Sequence, residues 1–369
     1  MANSPEKVLE VVTNSLMALS DFINSEFGPN NVRGLVPSAA GTPVGYVLNN
    51  QGLWVPGGLL IPQGRLTATS GVPVATGATA VVANGTTVFY TPYNGLAALL
   101  WNGSAFGAVG FGGELSQLLT DTTKSPAAAA ANSVYDVFIW SDGSTSPATI
   151  RATRGPAWTS STARGTGAGT TELQLIQGVY TNKNDIINGP RAGFGTYLGS
   201  FVTNGTATLN FGFGGAASGG VLANLSIWNN YNRRPMSPQV TDSGVSYTYT
   251  SATTRAARAS NNNRINYVIG LSEDVITGIY AVSFVPSASV AAFGLGAIAL
   301  DTTTVAPANG WFIEAETASA ISRAFTAAYI DNAPIIGSHF LQAVEASDGS
   351  HASTFDSQQA NSFNAVIWA

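Results

Sequence analysis

Glu314 and Glu316, in the run Phe312-Ile313-Glu314-Ala315-Glu316-Thr317, are the acidic pair best spaced for acid–base chemistry. On an extended strand, residues two apart share a face and stand about 7 Å from each other. Cleavage of a glycosidic bond needs two carboxyl groups roughly 5 to 9.5 Å apart, so the spacing is compatible with it. Paired carboxylates on a solvated strand are more commonly plain surface, and Glu273-Asp274 and Asp136/Asp142 carry less signal still. Nucleophilic catalysis needs a base beside the nucleophile. Only His339 and His351 could supply one, and both lie near the C-terminus. Ser338 precedes His339, but neighbouring strand residues point to opposite faces, so they form no dyad.

Other chemistry falls to similar arguments. The chain has no cysteine, which removes disulfides and thiolate ligands, and two histidines make a structural zinc site a poor expectation. Gly165-Thr166-Gly167-Ala168-Gly169 has the look of a phosphate-cradling loop. Such a loop needs a following helix, whereas Thr170, Thr171, Leu173, Leu175 and Ile176 read as strand. Asp142-Gly143 and Asp348-Gly349 lack the neighbouring acids a calcium loop requires. The expectation is a protein that is not an enzyme, with no catalytic residue, no metal and no cofactor.

Composition limits how these residues are held. The chain has 369 residues, of which 45% are hydrophobic and 9% charged. Ordinary globular proteins carry about 25% charged residues. Lys, Glu, Asp and Arg cannot cover such a surface, so Thr, Ser, Asn, Ala and Gly must. That surface suits β structure and protomers that hide against one another. A net charge of −5 argues against a nucleic-acid surface, and the Lys and Arg are scattered apart from a loose group at Arg255, Arg258 and Arg264. No signal peptide is expected, because Asn3, Ser4, Pro5 and Glu6 follow Met1. The longest apolar stretch, 281–300, contains Pro286, three serines and two glycines. It reads as two strands and a turn, so no membrane insertion is expected.

One helix is expected, over residues 1–28. Ser4 is a good N-cap, Pro5 suits the first helical position, and Gly28-Pro29 supplies the stop. Leu9, Val12, Leu16, Leu19 and Ile23 recur at steps of three and four, an apolar seam of coiled-coil type. A lone helix of this length is marginal in water, so the seam is read as an oligomerisation element. Val8, Val11 and Phe22 widen it, which leaves packing on the chain's own β domain open. Residues 29–58 form an extended Gly/Pro module, with Asn50-Gln51-Gly52 as the turn of a hairpin ending on Trp54.

Two β-rich domains are expected, 59–240 and 241–369, as antiparallel sandwiches or jelly rolls. Aromatic and β-branched residues alternate in Thr87–Thr91, Val134–Trp140, Ser246–Thr250, Tyr267–Gly270 and Gly278–Val282. Turns are signalled at Asn84-Gly85, Asn94-Gly95, Asn102-Gly103, Asp142-Gly143, Asn188-Gly189 and Asn204-Gly205. Short helical pieces are expected at Gly113–Leu119, Ser319–Ala328 and Ala127–Ala131. No fixed-period repeat occurs, which weakens propeller and β-helix readings.

Two sets of motifs resemble structural proteins of tailed bacteriophages. The first is Gly34-Leu35-Val36-Pro37, a Gly/Pro/Ala spacer, then Tyr46-Val47-Leu48, a turn and Trp54, similar to a short module of tail and head fibres. The second spans most of 59–345 and resembles a β-rich domain widespread in such proteins. It runs through Gly64-Arg65-Leu66-Thr67, Tyr90-Thr91-Pro92-Tyr93, Leu100-Trp101-Asn102-Gly103 and Tyr135-Asp136-Val137-Phe138. It continues through Gly155-Pro156-Ala157-Trp158, Arg164–Leu173, Tyr197–Phe201, Trp228–Pro235 and Gly337–Glu345. The resemblance implies a fibre or spike subunit on the phage particle, assembled in the host cytoplasm, a homotrimer by expectation. It further implies contact with other virion proteins through the N-terminal region, and a host-surface glycan or protein as candidate partner. Capsid decoration, a collar role and a polysaccharide-degrading spike are the alternatives.

Overall fold

The computed structural model describes residues 46–48, 54–56, 61–77, 81–144, 148–286, 292–304, 310–311, 313–317, 323–356 and 361–369. The helix expected over 1–28, with its seam residues Leu9, Val12, Leu16, Leu19 and Ile23, lies outside them. The chain divides into two units, Met1–Leu60 with Gly107–Val109, and Ile61–Phe106 with Gly110–Ala369. In the first unit, Tyr46–Leu48 pairs antiparallel with Trp54–Pro56, and Leu48 stands opposite Trp54. That is the expected hairpin.

The second unit is mainly β, as its alternating aromatic and β-branched runs dictate. Among the described residues the only helical piece is a 3₁₀ turn at Ala257–Ala259. A six-stranded antiparallel sheet orders Thr149–Ala157, Val134–Asp142, Thr196–Val202, Val179–Asn182 and Leu173–Ile176, with Ile227–Asn229 also on Thr196–Val202. Val134–Asp142 departs from the half-buried strand expected there: it is buried on both faces, so bulky apolar residues fill neighbouring positions as well as alternate ones. Around it pack Tyr135 on Phe201 and Phe138 on Tyr197.

A second, eight-stranded sheet orders Ile313–Thr317, Ala292–Leu300, Gly337–Ser347, Arg264–Ile269, Ala223–Leu225, Leu209–Gly212 and Val82–Gly85, with Arg255–Ala256 on Gly337–Ser347. One pair in it, Ala223–Leu225 with Arg264–Ile269, is parallel. A third sheet centres on Ile276–Pro286, flanked by Asn361–Trp368 and Arg323–Asp331. The second and third sheets pack face to face. Small residues on one admit large ones on the other: a Cβ at Gly294 would strike the Phe284 ring, and one at Gly296 would strike Val282 and Phe325. This is sandwich packing. Strands on both sides of residue 240 share these sheets, since Gln239–Asp242 pairs with Asn361–Trp368. The stretch 281–300 gives two strands, as its Pro and Gly content predicts.

Two expected helical pieces are instead strands. Within Gly113–Leu119, Leu115–Leu118 pairs with Thr87–Pro92, because a sheet edge there offers backbone partners and Gln117 is buried to meet Arg154 and Ser125. Within Ser319–Ala328, the described residues belong to Arg323–Asp331, which pairs with Ile276–Pro286 at nine successive positions. A full ladder of backbone bonds outweighs the few tenths of a kcal/mol by which alanine favours helix. Ala127–Ala131 is irregular. Its carbonyls serve elsewhere: Ala127 accepts from Arg154 and Ala130 from Thr203.

Candidate functional site

The acidic pair that spacing favours lies on the strand Ile313–Thr317, with Glu314 opposite Leu295 and Glu316 opposite Phe293. Their side chains fall outside the described residues. His339 is buried, and its Nδ1 meets Asp301 Oδ2 at 2.7 Å while Ser338 takes the other face of the strand. Burial opposes a charge on this ring, but the Asp301 hydrogen bond outweighs it and holds the pKa above the ordinary 6.5. His351 pairs with Asp348 in its own turn. Gly165, Gly167 and Gly169 all have positive φ and lead into the strand Leu173–Ile176, which makes the segment a turn.

Several charges are spent inside. Asp136, fully buried, accepts Arg164 Nε at 2.7 Å, Arg164 Nη2 at 3.2 Å and Ser200 Oγ at 2.6 Å. Arg164 also donates to Tyr197 Oη and Gly270 O, and lies 4.4 Å from the Trp158 ring centre. The loose basic group at Arg255, Arg258 and Arg264 resolves the same way. Glu345, also 0% exposed, takes Arg255 Nη2 at 2.8 Å and the Tyr247 hydroxyl. Burial raises the Glu345 pKa, and the Tyr247 and Arg255 bonds oppose that rise. Arg258 bridges Asp242 and Asp356, while Arg264 lies over the Phe340 ring at 3.8 Å. Three buried carboxylates, Glu345, Asp242 and Asp356, sit here, and each is engaged by an arginine, so the cluster acts as a clamp. No group of metal-ligating side chains occurs among the described residues.

Arg65, Tyr90, Asn229 and Asn232 lock separate segments together. Arg65, buried, donates to the carbonyls of Asn232 and Ala369. Asn229 bonds both the N–H and the carbonyl of Leu66. Asn232 holds Pro62 and Gly64, whose N–H donates to the Tyr90 hydroxyl.

One open feature of the unit is a cleft of about 430 Å³ whose floor is the second sheet; another, of about 490 Å³, is lined by Val74, Phe213, Arg234 and Gln239. Register puts Gly212, Asn224, Asn266 and Phe340 in one row across four adjacent strands. Asn210, Ser226 and Ser338 lie beside that row, and Asn132, Ser161, Val202–Gly205 and Leu222 add to the lining. Asn266 Nδ2 donates to Asn224 Oδ1 at 2.9 Å. Ser226 is 6% exposed, and its hydroxyl has no partner among the described residues. Of the ionisable groups only Tyr267 and His339 line the cleft, the latter already engaged by Asp301. Sequence spacing could not gather these residues, which come from seven separate segments. The one signal was asparagine inside strands, where it is depleted.

The class of protein so defined is, over the described residues, a mainly β chain with several buried ion pairs and an amide-bearing cleft on its second sheet. No protein-family model matches the chain, and no curated protein matches it. A solved structure titled "Structure of infectious bursal disease virus Gx strain" aligns at 12% identity over 78% of this chain and 68% of that chain. Its TM-score is 0.21, too low for the overlap to bear on fold or function.

Proposed function

We propose that this chain is a structural subunit of a bacteriophage particle, a fibre or spike protomer that assembles with copies of itself and displays its β unit. The observation that carries the reading is the outer face of the third sheet. Its outward positions are Thr277, Ile279 and Ala281 on one strand, Thr326, Ala328 and Ile330 on the second, and Ser362, Asn364, Val366 and Trp368 on the third. None is charged, and Ile279 (51%), Ile330 (48%), Val366 (37%) and Trp368 (39%) are exposed. Contiguous apolar patches on a soluble chain mark sites that another surface covers. With 9% charged residues in all, a copy of the same weakly charged chain fits that face better than a charged partner. The phage-type motifs favour a virion setting, and the seam Leu9, Val12, Leu16, Leu19 and Ile23 favours a trimer gathered at its N-terminal end. In this reading weak contacts per copy add through effective concentration.

Antibody labelling of purified particles in electron micrographs tests it. Label on fibres or spikes at a fixed copy number is expected. Label absent from particles overturns the reading, and label on the shell without any binding of host cells by purified protein shifts it to capsid decoration.

A further inference from the structure

We infer that the cleft on the second sheet binds a neutral saccharide. The chemistry of its lining decides the class. Sugar hydroxyls both donate and accept, and side-chain amides and hydroxyls answer them in kind. Asn224 and Asn266 already share one hydrogen bond, which fixes both amides, while Asn224 Nδ2 and Asn266 Oδ1 engage no other group among the described residues. Beside them the buried Ser226 hydroxyl has no partner, an arrangement that costs free energy unless something else bonds it. Phe340, next in the row, adds an aromatic ring that the Arg264 guanidinium fixes by covering one of its faces, which leaves the other face and the edge for a ligand. Amide, amide and ring in a line are the elements that grip a sugar: polar groups for its hydroxyls and a flat apolar surface for its C–H face.

Other ligand classes fit less well. An anionic ligand would meet one cation beside the row, Arg264 over the Phe340 ring, but the lining itself holds no ionisable group beyond Tyr267 and His339. An extended peptide adds to a sheet through an unpaired edge, but Ala223–Leu225, Arg264–Ile269 and Gly337–Ser347 are each paired on both sides. The volume of about 430 Å³ falls within the ~300–1,000 Å³ of ordinary small-ligand sites, room for a short oligosaccharide. The biological meaning rests on the displayed-subunit reading; the binding chemistry does not.

The test is saturation-transfer NMR and calorimetry on the full chain with maltose, lactose and N,N′-diacetylchitobiose. Sialyllactose serves as the anionic control and tetraglycine as the peptide control. Saturable binding of at least one neutral saccharide is expected, weakened about tenfold or more by Asn266→Ala and by Asn224→Ala. Ser338→Trp, which fills the floor beside the amide pair, abolishes it, with thermal melts confirming that each variant is folded. Absence of saturable binding by all three saccharides, wild-type affinity in these variants, or binding of tetraglycine in place of the sugars overturns the inference. Particle labelling separates the two readings. A protein found on particles that ignores these sugars defeats the cleft alone, and a sugar binder absent from particles defeats the virion role alone.

Discussion

Replacing Asp136 by alanine removes the anion from a site where Arg164 has few other ways to keep its charge. The carboxylate is fully buried and accepts two guanidinium bonds and the Ser200 hydroxyl. Arg164, itself 10% exposed, would then lie uncompensated between Trp158 and Tyr197. Breaking a buried pair by deleting one partner costs about 3–5 kcal/mol. Because Arg164 also donates to Gly270 O just beyond the strand Arg264–Ile269, the damage should spread from the first sheet to the second. Urea unfolding followed by tryptophan fluorescence reads the loss directly, since Trp158 stacks on this arginine. The midpoint should fall while the slope stays constant. The double variant Asp136→Ala/Arg164→Met should be less damaged than the sum of the single losses, by about 0.5–3 kcal/mol. A loss below about 1 kcal/mol for Asp136→Ala, or strict additivity in the cycle, refutes the argument that this pair anchors the core.

Four further outcomes follow from the geometry. Hydrogen bonding from Ser144, then Lys124 and Arg151, holds the Asp142 carboxyl below its ordinary 3.8. Its stabilisation is therefore present above that value and lost as pH falls through the depressed one, so Asp142→Asn should flatten the acid limb of stability against pH. His339 has the opposite sign: its pKa is raised, so its stabilisation is full below 6.5 and lost as pH climbs through the folded value. His339→Gln should remove that decline in melts across neutral and mildly alkaline pH. Gly270→Ala would drive a Cβ to 2.2 Å from Tyr197 Oη and 2.3 Å from Trp228 Cε3. It should cost about 1–3 kcal/mol or more, while Gly143→Ala, which meets nothing within 4 Å, should be near neutral. Ile279→Lys with Val366→Lys should leave the fold intact by circular dichroism yet lower the sedimenting mass of the protein.

Much of the β architecture could be read in advance because local chemistry and final structure agree. The strands Thr87–Pro92, Val134–Asp142, Arg264–Ile269 and Ile276–Pro286 all coincide with aromatic and β-branched runs. Asn204 shows the turn chemistry at work, its Oδ1 accepting the N–H groups of Thr206 and Thr208. Misreadings arose where a long-range partner overruled local preference, as in the alanine-rich strand Arg323–Asp331. The ion clamps were illegible for a different reason. Arg258 meets Asp356 across 98 positions, and Arg164 meets Asp136 across 28, distances at which charge pattern predicts nothing. The cleft was hidden likewise, since Asn132, Asn210, Asn266 and Phe340 become neighbours only through strand order.

Sedimentation equilibrium of the full-length protein at micromolar concentration bears most directly on the idea that sister copies cover the neutral third sheet. A mass three times that of one chain is the outcome the account requires. A single 37.9 kDa species, unchanged as concentration rises, would contradict it.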